Sequence, residues 1–217
     1  MGEAFTGLAD DVNTVGYNPA GLAFLSRQEA AFMHHEYVSE IRQDYLAYAV
    51  PTRNWGTLGL SANMLRVSPF SAYDANDTPQ GAVSAQDAAL SLAYAKNWGG
   101  LGFGVSGKQI RSRLADVSAS GSAWDMGALW AVDSQLILGA ALQNVGSDLK
   151  YISEAFPLPL TGKLGASYKI KILETGRLIG ALDAGFPKDS SPHLRAGLEL
   201  APVHFAAVRL GYNGSLD

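Results

Sequence analysis

The stretch from Gly102 to Lys108 is the part of the sequence that comes nearest to a nucleotide-binding motif. It reads Gly-Phe-Gly-Val-Ser-Gly-Lys and fits the Gly-x-x-x-x-Gly-Lys pattern, in which backbone N–H groups cradle phosphates. That pattern requires Ser or Thr next as a magnesium ligand, and Gln109 stands there instead. Phe103 and Val105 alternate with glycine and serine, which predicts a glycine-rich strand and not a phosphate loop.

His34, His35 and Glu36 are adjacent residues of types that bind metals. Neighbouring side chains of a strand point to opposite faces, so only His34 and Glu36 would share a ligand. This favours a polar strand end over a metal site. The serines form no Gly-x-Ser-x-Gly elbow, and a chain with 0 cysteines has no thiol nucleophile. We therefore expect no catalytic residue, no metal and no cofactor, in a protein that is not an enzyme.

The composition excludes several other classes of protein. The 217 residues carry a formal charge of −4 and no run of five like charges, so nucleic-acid binding is not expected. Charged residues make up only 17% and there are 24 glycines, which leaves little ordinary polar surface. The sequence has no run of 18 apolar residues, so no transmembrane helix is predicted.

A period of two dominates the chain from about residue 28 onward. In Leu160–Ile170, for example, the even positions are mostly apolar and the odd positions mostly polar or small, as expected of a strand with two different faces. The pattern predicts about eleven strands, near residues 29–38, 43–51, 56–68, 86–97, 100–113, 122–132, 135–145, 159–171, 176–186, 192–201 and 203–213.

The connections between these strands are of two kinds. Most are short turns, whereas three longer polar segments are expected at Ser68–Ser84, Ser112–Gly121 and Gly146–Pro159. Short turns at one end of a sheet and long loops at the other are typical of outer-membrane barrels.

The apolar strand faces must meet either lipid or a second sheet. Opposite them stand mainly Gly, Ala and Ser, which suits a crowded barrel interior better than a water-exposed outer surface. Aromatic residues that favour the membrane boundary fall near strand ends, namely Trp55, Trp98, Trp124, Trp130, Tyr94, Tyr168 and Tyr212. A soluble all-β binding domain stays open as an alternative.

The residues before the first strand carry a more specific signal. Asn18 followed by Pro19 predicts a short helix over about Pro19–Leu25, because Asn favours the N-cap and Pro the first turn. A longer motif is formed by the residues Gly2, Ala4–Thr6, Ala9–Asp11 and Asn18–Ala23. This motif resembles the N-terminal signature of the FadL-like outer-membrane proteins and, within them, of the PorV/PorQ group.

This resemblance implies an antiparallel transmembrane β-barrel of fourteen strands in the bacterial outer membrane, with the N-terminal segment folded into the lumen as a hatch. The domains are then a hatch segment, residues 1–27, and a partial barrel, residues 28–217. With about eleven strands, we expect a fragment that lacks its signal peptide and its C-terminal strands. The signature residues are Phe5, Thr6, Asp10, Asp11, Asn18, Pro19, Gly21 and Leu22.

The resemblance also suggests where a ligand and the luminal charges would lie. A hydrophobic ligand, such as a fatty acid or a detergent, would rest near Phe5, Leu8, Leu22 and Phe24. Inward charges could pair with one another or with Glu3, Asp10 and Asp11, and either gate passage or simply fill the lumen. These charges are Lys108, Asp125, Lys163, Lys169, Asp183, Arg195, Glu199 and Arg209.

Three functions remain at this stage. The first is a barrel in the lipid bilayer that passes or binds hydrophobic small molecules through a hatch-gated lumen. The second is a PorV-like barrel that serves as anchor or shuttle for secretion-system proteins, with 68–84 and 146–159 as contact loops. The third is the soluble all-β domain.

Overall fold

The computed structural model describes residues 1–37, 40–172, 176–203 and 205–215. Two short 3₁₀ helices, Val12–Gly16 and Pro19–Phe24, precede the strands. Among the described residues, no helix is long and apolar enough to cross a membrane. The strands are β1 Glu29–Tyr37, β2 Ile41–Thr52, β3 Gly56–Tyr73, β4 Pro79–Trp98, β5 Leu101–Leu114, β6 Val117–Ala131, β7 Leu136–Gly146, β8 Leu149–Tyr151, β9 Glu154–Phe156, β10 Thr161–Ile172, β11 Gly176–Pro187, β12 His193–Val203 and β13 Ala206–Ser215.

Eleven of these strands form one antiparallel sheet in which neighbours along the chain are neighbours in space. The order runs from β1 to β7 and then from β10 to β13. The strands β8 and β9 form a separate small hairpin between β7 and β10. Within the described residues, β1 and β13 each pair with one neighbour, so the sheet has two open edges. The expectation of an all-β, antiparallel fold with about eleven barrel strands is confirmed.

Two of the three expected long polar segments are wrong, because they are mostly strand. In the segment 68–84, β3 continues to Tyr73 and β4 begins at Pro79. In the segment 112–121, only Ala115 and Asp116 separate β5 from β6. Polar and small residues occur on both faces here, so these segments lack the regular alternation of apolar and polar residues that marks a strand in a sequence.

The register divides the sheet into an apolar outer face and an inner face of small residues. On one rung, Leu60, Leu92 and Trp124 all point outward, and 64% of the surface of Leu92 is exposed. The neighbouring residues Ser91 and Ala93 point inward and are buried. Water-soluble monomers rarely expose a continuous apolar surface of this extent, which disfavours the soluble alternative.

The inner face of the sheet wraps around the N-terminal segment. Side chains or glycine positions on strands from β1 to β13 lie against residues 1–25. One apolar cluster joins Val12, Val15, Leu22 and Leu25 to alanines of β2 and β4. This packing makes the hatch segment the core of the fold, because no other described part of the chain packs on the outer face of the sheet.

Candidate functional site

Local hydrogen bonds shape the hatch segment before it meets the sheet. The Asp11 carboxylate accepts a hydrogen bond from the backbone N–H of Asn13 at 2.8 Å and caps the first 3₁₀ helix. Burial raises the pKa of the Asp11 carboxyl, and the hydrogen bonds from Asn13 oppose that rise. The second helix begins with Pro19 after the N-cap Asn18. The helix expected here is present, and it is of the tighter 3₁₀ type.

Asn18 is fully buried and joins three parts of the molecule. Its Oδ1 accepts from the N–H of Ala20 at 3.2 Å, which caps the second helix. Its Nδ2 donates to the carbonyl of Thr6 at 2.9 Å and to the carbonyl of Ala128 on β6 at 3.3 Å. An amide has both a donor and an acceptor, and this site uses both. Asn18 therefore links the two halves of the segment to each other and to β6 of the sheet.

Asp183 on β11 binds the backbone at the start of the segment. Its Oδ2 accepts from the backbone N–H of Phe5 at 2.9 Å and from that of Thr6 at 2.7 Å. The side chain is 4% exposed. In the register, Asp183 stands directly opposite Arg195 on β12 and Gly165 on β10. A buried carboxylate that accepts two N–H groups forms strong, charge-assisted hydrogen bonds.

Neutral polar side chains of the inner face bind the backbone of the segment further along. Gln143 on β7 donates through Nε2 to the carbonyls of Gly16 and Tyr17 at 2.9 and 3.0 Å. Ser167 on β10 donates to the carbonyl of Gly7 at 2.9 Å. Buried carbonyls need such partners. The inner face of the sheet thus supplies hydrogen-bond donors that the irregular backbone of the segment lacks.

Two salt bridges and one cation–π contact join charged inner-face residues to the segment. Arg195 lies 3.0 Å from the Glu3 carboxylate, and Lys169 lies 3.1 Å from that of Asp10. The ammonium of Lys163 lies 5.6 Å from the ring centre of Tyr17. The structure thus places these expected luminal charges against the hatch segment.

The other expected luminal charges pair within the wall. Lys108 lies 2.9 Å from the fully buried carboxylate of Asp125 and also donates to the side chain of Asn144. Glu199 accepts from Arg209 at 2.6 Å and lies 2.9 Å from Arg177. Buried charge is costly without such a partner. Among the described residues, neither group forms a hydrogen bond or salt bridge with the hatch segment.

The inner-face glycines make room for the backbone of the segment. A Cβ at Gly127 would lie 1.9 Å from Oδ1 of Asn18, and a Cβ at Gly139 would lie 2.3 Å from the carbonyl oxygen of Thr6. Both distances are far below any contact that real Cβ atoms make. The segment therefore lies directly on the backbone of the sheet at these points.

The four residues expected to border a ligand lie at the interface between segment and sheet, but in different surroundings. Phe5 and Phe24 pack on one cluster, formed by Ala9, Ala20 and Leu129. The ring of Phe5 also meets the Tyr17 ring edge-on, with centroids 5.3 Å apart. Leu22 is fully buried in the other cluster, and Leu8 is 6% exposed. Phe5 and Phe24 stay partly exposed, so of the four they are the ones that a ligand could reach.

The two stretches considered above for nucleotide and metal binding lie within strands. Gly102–Lys108 lies within β5. His34 lies on the outer face and contacts the Asp44 carboxylate at 2.7 Å, while His35 points to the other face. In the part of the chain that the structure describes, no three His, Cys, Asp or Glu side chains form a group that would hold a metal ion.

Sequence reasoning missed Gln143, Ser167 and Glu29, which bind the backbone of the segment. Alternation places Gln143 and Ser167 on the inner face, and that was the only signal available. Their partners lie up to 160 positions away in the chain, so no local pattern identifies them.

Together these features define a class of fold: an antiparallel sheet, apolar outside, wrapped around its own N-terminal segment. The solved structure of the toluene transporter TodX of Pseudomonas putida has this fold, with a TM-score of 0.62 over 93% of this chain and 78% of that one. The sequences are 12% identical, so the likeness concerns the fold alone. It supports the expected barrel-type fold.

The chain belongs to the uncharacterised protein family UPF0164, whose pattern matches residues 1–128. One relative, a UPF0164 protein of Treponema pallidum (strain Nichols), is 26% identical over 163 residues, which cover 68% of this chain and 40% of that protein. A second UPF0164 protein of the same organism is 41% identical over 56 residues, or 26% of this chain and 13% of that protein. The chain thus spans less than half the length of either relative.

Proposed function

We propose that this chain forms the wall and the hatch of an outer-membrane barrel through which hydrophobic small molecules pass. The observation that carries the proposal is the attachment of residues 1–25 to the inner face. Residues 1–25 are not themselves a strand of the sheet, so a shift of this segment would break its own hydrogen bonds, salt bridges and apolar contacts but no strand pairing. The toluene transporter with the same fold supports a hydrophobic cargo.

The outer face supports a place in a lipid bilayer. On β4 the outward residues from Ala88 to Trp98 are apolar except for Lys96, whose ammonium lies 5.7 Å from the Trp98 ring. The ten residue steps from Ala88 to Trp98 measure about 33 Å along the strand. A tilt of about 40° reduces them to an apolar band roughly 25 Å tall, as in outer-membrane barrels.

Locking the hatch segment to the wall tests the proposal directly. The chain has 0 cysteines, so the double variant D10C/K169C adds two thiols to it in place of the salt bridge that joins the segment to β10. A short bifunctional thiol reagent with a reducible linker would join them. We expect uptake of a labelled long-chain fatty acid or of toluene, by cells that lack their own uptake protein, to stop on cross-linking and to resume on reduction.

A matched control cross-links the wall to itself. His34 and Asp44 stand opposite each other on β1 and β2, on the outer face and away from the segment. The variant H34C/D44C receives the same reagent and leaves the hatch segment free, so uptake should continue. Uptake that persists with a locked hatch segment, or that stops equally in both variants, would contradict a gating role for this segment.

Binding gives a second, independent measurement. Phe5 and Phe24 border the partly exposed side of the segment, so the variant F5S/F24S should weaken saturable binding of a fluorescent fatty acid. Leu194→Ser, on the outer face, is the control and should leave this binding unchanged. A wild-type protein without saturable binding would refute the choice of a fatty acid as ligand.

A PorV-like role in protein secretion is the second candidate, and the length of one hairpin favours it. The strands β3 and β4 have 18 and 20 residues, whereas about 9–11 residues suffice to cross a bilayer. The tip of this hairpin therefore projects beyond the apolar band, where a protein partner could bind. If secretion is the role, removal of residues 70–82 should abolish co-purification of the exported protein while the barrel stays heat-modifiable on gels.

A further inference from the structure

Four arginines lie close together on the outer face, at the end of the sheet where the β3–β4 hairpin projects. The register aligns Arg42 on β2 with Arg66 on β3, and Arg66 with Gln86 on β4, which stands opposite Arg113 on β5. Arg111 lies one rung nearer the middle of the sheet. We call Arg42, Arg66, Arg111 and Arg113 the arginine rim.

The rim adjoins the apolar band without a gap. Arg111 stands opposite Ala88, which in turn stands opposite Met64. Two rungs further toward the middle of the sheet come Leu92 and Trp124. Arg111 therefore stands level with Ala88, where the apolar band of β4 begins, so the rim lies at the boundary of the band, where the headgroups of one leaflet would lie.

The charges of the rim are only half neutralised by the protein. Arg42 pairs with Glu36 at 3.1 Å, and Arg66 pairs with Asp44. Among the described residues, neither Arg111 nor Arg113 has a carboxylate within 4.0 Å. Two exposed guanidinium groups two positions apart on one strand face repel each other unless an anion lies between them.

A cleft of about 760 Å³ lies at these two arginines. Hydrogen-bond donors from three strands surround it, namely the guanidinium groups of Arg111 and Arg113, the Gln86 amide and the hydroxyl groups of Ser118 and Ser120. Asp116 also borders the cleft. Two arginines and one aspartate leave the cleft positively charged.

We infer that this cleft binds the phosphate of an anionic membrane lipid. A guanidinium group offers a planar fork of donors that matches phosphate oxygens. The adjoining apolar band, from Ala88 to Leu92, would receive the acyl chains of the same lipid. A free phosphate ion would satisfy the donors but leave this apolar surface uncovered, which is why the assignment is to a lipid. The inference rests on the membrane location proposed above.

The test compares lipid binding by the wild-type protein and by the variant R111Q/R113Q in a neutral detergent. Thermal unfolding is followed while phosphatidylglycerol, phosphatidylcholine or inorganic phosphate is added. Each arginine near a charged lipid surface contributes about 1 kcal/mol. We therefore expect phosphatidylglycerol to bind the variant about 30-fold more weakly, since about 1.4 kcal/mol corresponds to a tenfold change. Phosphatidylcholine, without net charge, should bind both proteins weakly.

The control R53Q/K96Q removes the same charge from the opposite end of the sheet and should bind phosphatidylglycerol like the wild type. The inference is overturned if R111Q/R113Q retains wild-type affinity, if the control loses as much, or if inorganic phosphate alone stabilises the protein as well as the lipid does. Flotation of the wild-type protein with phosphatidylcholine vesicles is measured separately. Failure to float would refute the membrane location, whereas flotation without selective lipid binding would refute only the site.

Discussion

Asp183 offers the sharpest test of how the hatch segment is held. The variant D183A removes a carboxylate that accepts from the N–H groups of Phe5 and Thr6. Each hydrogen bond to a charged group contributes about 1.5–3 kcal/mol, so two contribute roughly 3–6 kcal/mol. Relief from burying the charge offsets part of this loss. We expect the segment to be held about 3 kcal/mol less tightly, which corresponds to release on the order of 100-fold more often.

Hydrogen exchange measures this release in the full-length protein. The amides to follow are those of Ala9 and Asn18, which donate to the carbonyls of Phe5 and Thr14, both at 2.9 Å. The substitution leaves these two acceptors in place, so faster exchange reports movement of the segment and not the missing carboxylate. Strand amides of β4 serve as an internal reference, because they should keep their protection.

Two further variants make the result specific. S167A removes one neutral hydrogen bond, to the carbonyl of Gly7, and should speed exchange only about fivefold, as expected for about 1 kcal/mol. D183N keeps an acceptor oxygen in place and should fall between the two. If D183A exchanges no faster than S167A, the grip of Asp183 on the segment contributes no more than one neutral hydrogen bond, and the reasoning is refuted.

Two other predictions concern the faces of the sheet. G127A drives a Cβ into the amide of Asn18 and should release the segment in the same exchange assay, whereas G162A, whose Cβ would meet nothing within 4 Å, should leave it in place; equal behaviour of the two would contradict close packing on the inner face. L92R puts a charge near the middle of the apolar band and should destabilise the protein by about 2–4 kcal/mol in denaturant titrations in lipid vesicles. A82R, opposite Ser71 and beyond the band, should change stability little, and similar losses for both variants would exclude the assignment of the outer face to lipid.

Alternation alone was sufficient to predict the central part of the sheet. Leu136–Leu142 and Leu160–Ile170 lie in the neighbouring strands β7 and β10. Both keep a period of two, because one face of each strand is apolar and the other carries small or polar residues. That contrast is limited to the rungs of the apolar band. Beyond the band polar and small residues occur on both faces, so the outer parts of β3 to β6 look like loops in the sequence.

The hatch segment shows a similar division. Asn18 and Pro19 predict the second 3₁₀ helix, since capping depends on residues that are close in the chain. The hydrogen bonds of Asp183 and Gln143 to the segment depend on the positions of β11 and β7 in the sheet. The register of the strand pairs before them determines those positions. Their type and alternation indicate inward polar residues, but only the assembled sheet shows which backbone groups they bind.

The grip of Asp183 also has a consequence for the order of folding. Phe5 and Asp183 are 178 positions apart, and contacts of such separation form slowly because a long loop must first close. Phe5 and Thr6 therefore have no complete binding surface until β11 has joined the sheet. Until then the alanine, glycine and serine rungs of β3 to β7 face an empty interior, and the growing sheet lacks its core. We therefore expect docking of the hatch segment to be a late step of folding, because it requires that nearly every strand is already in register.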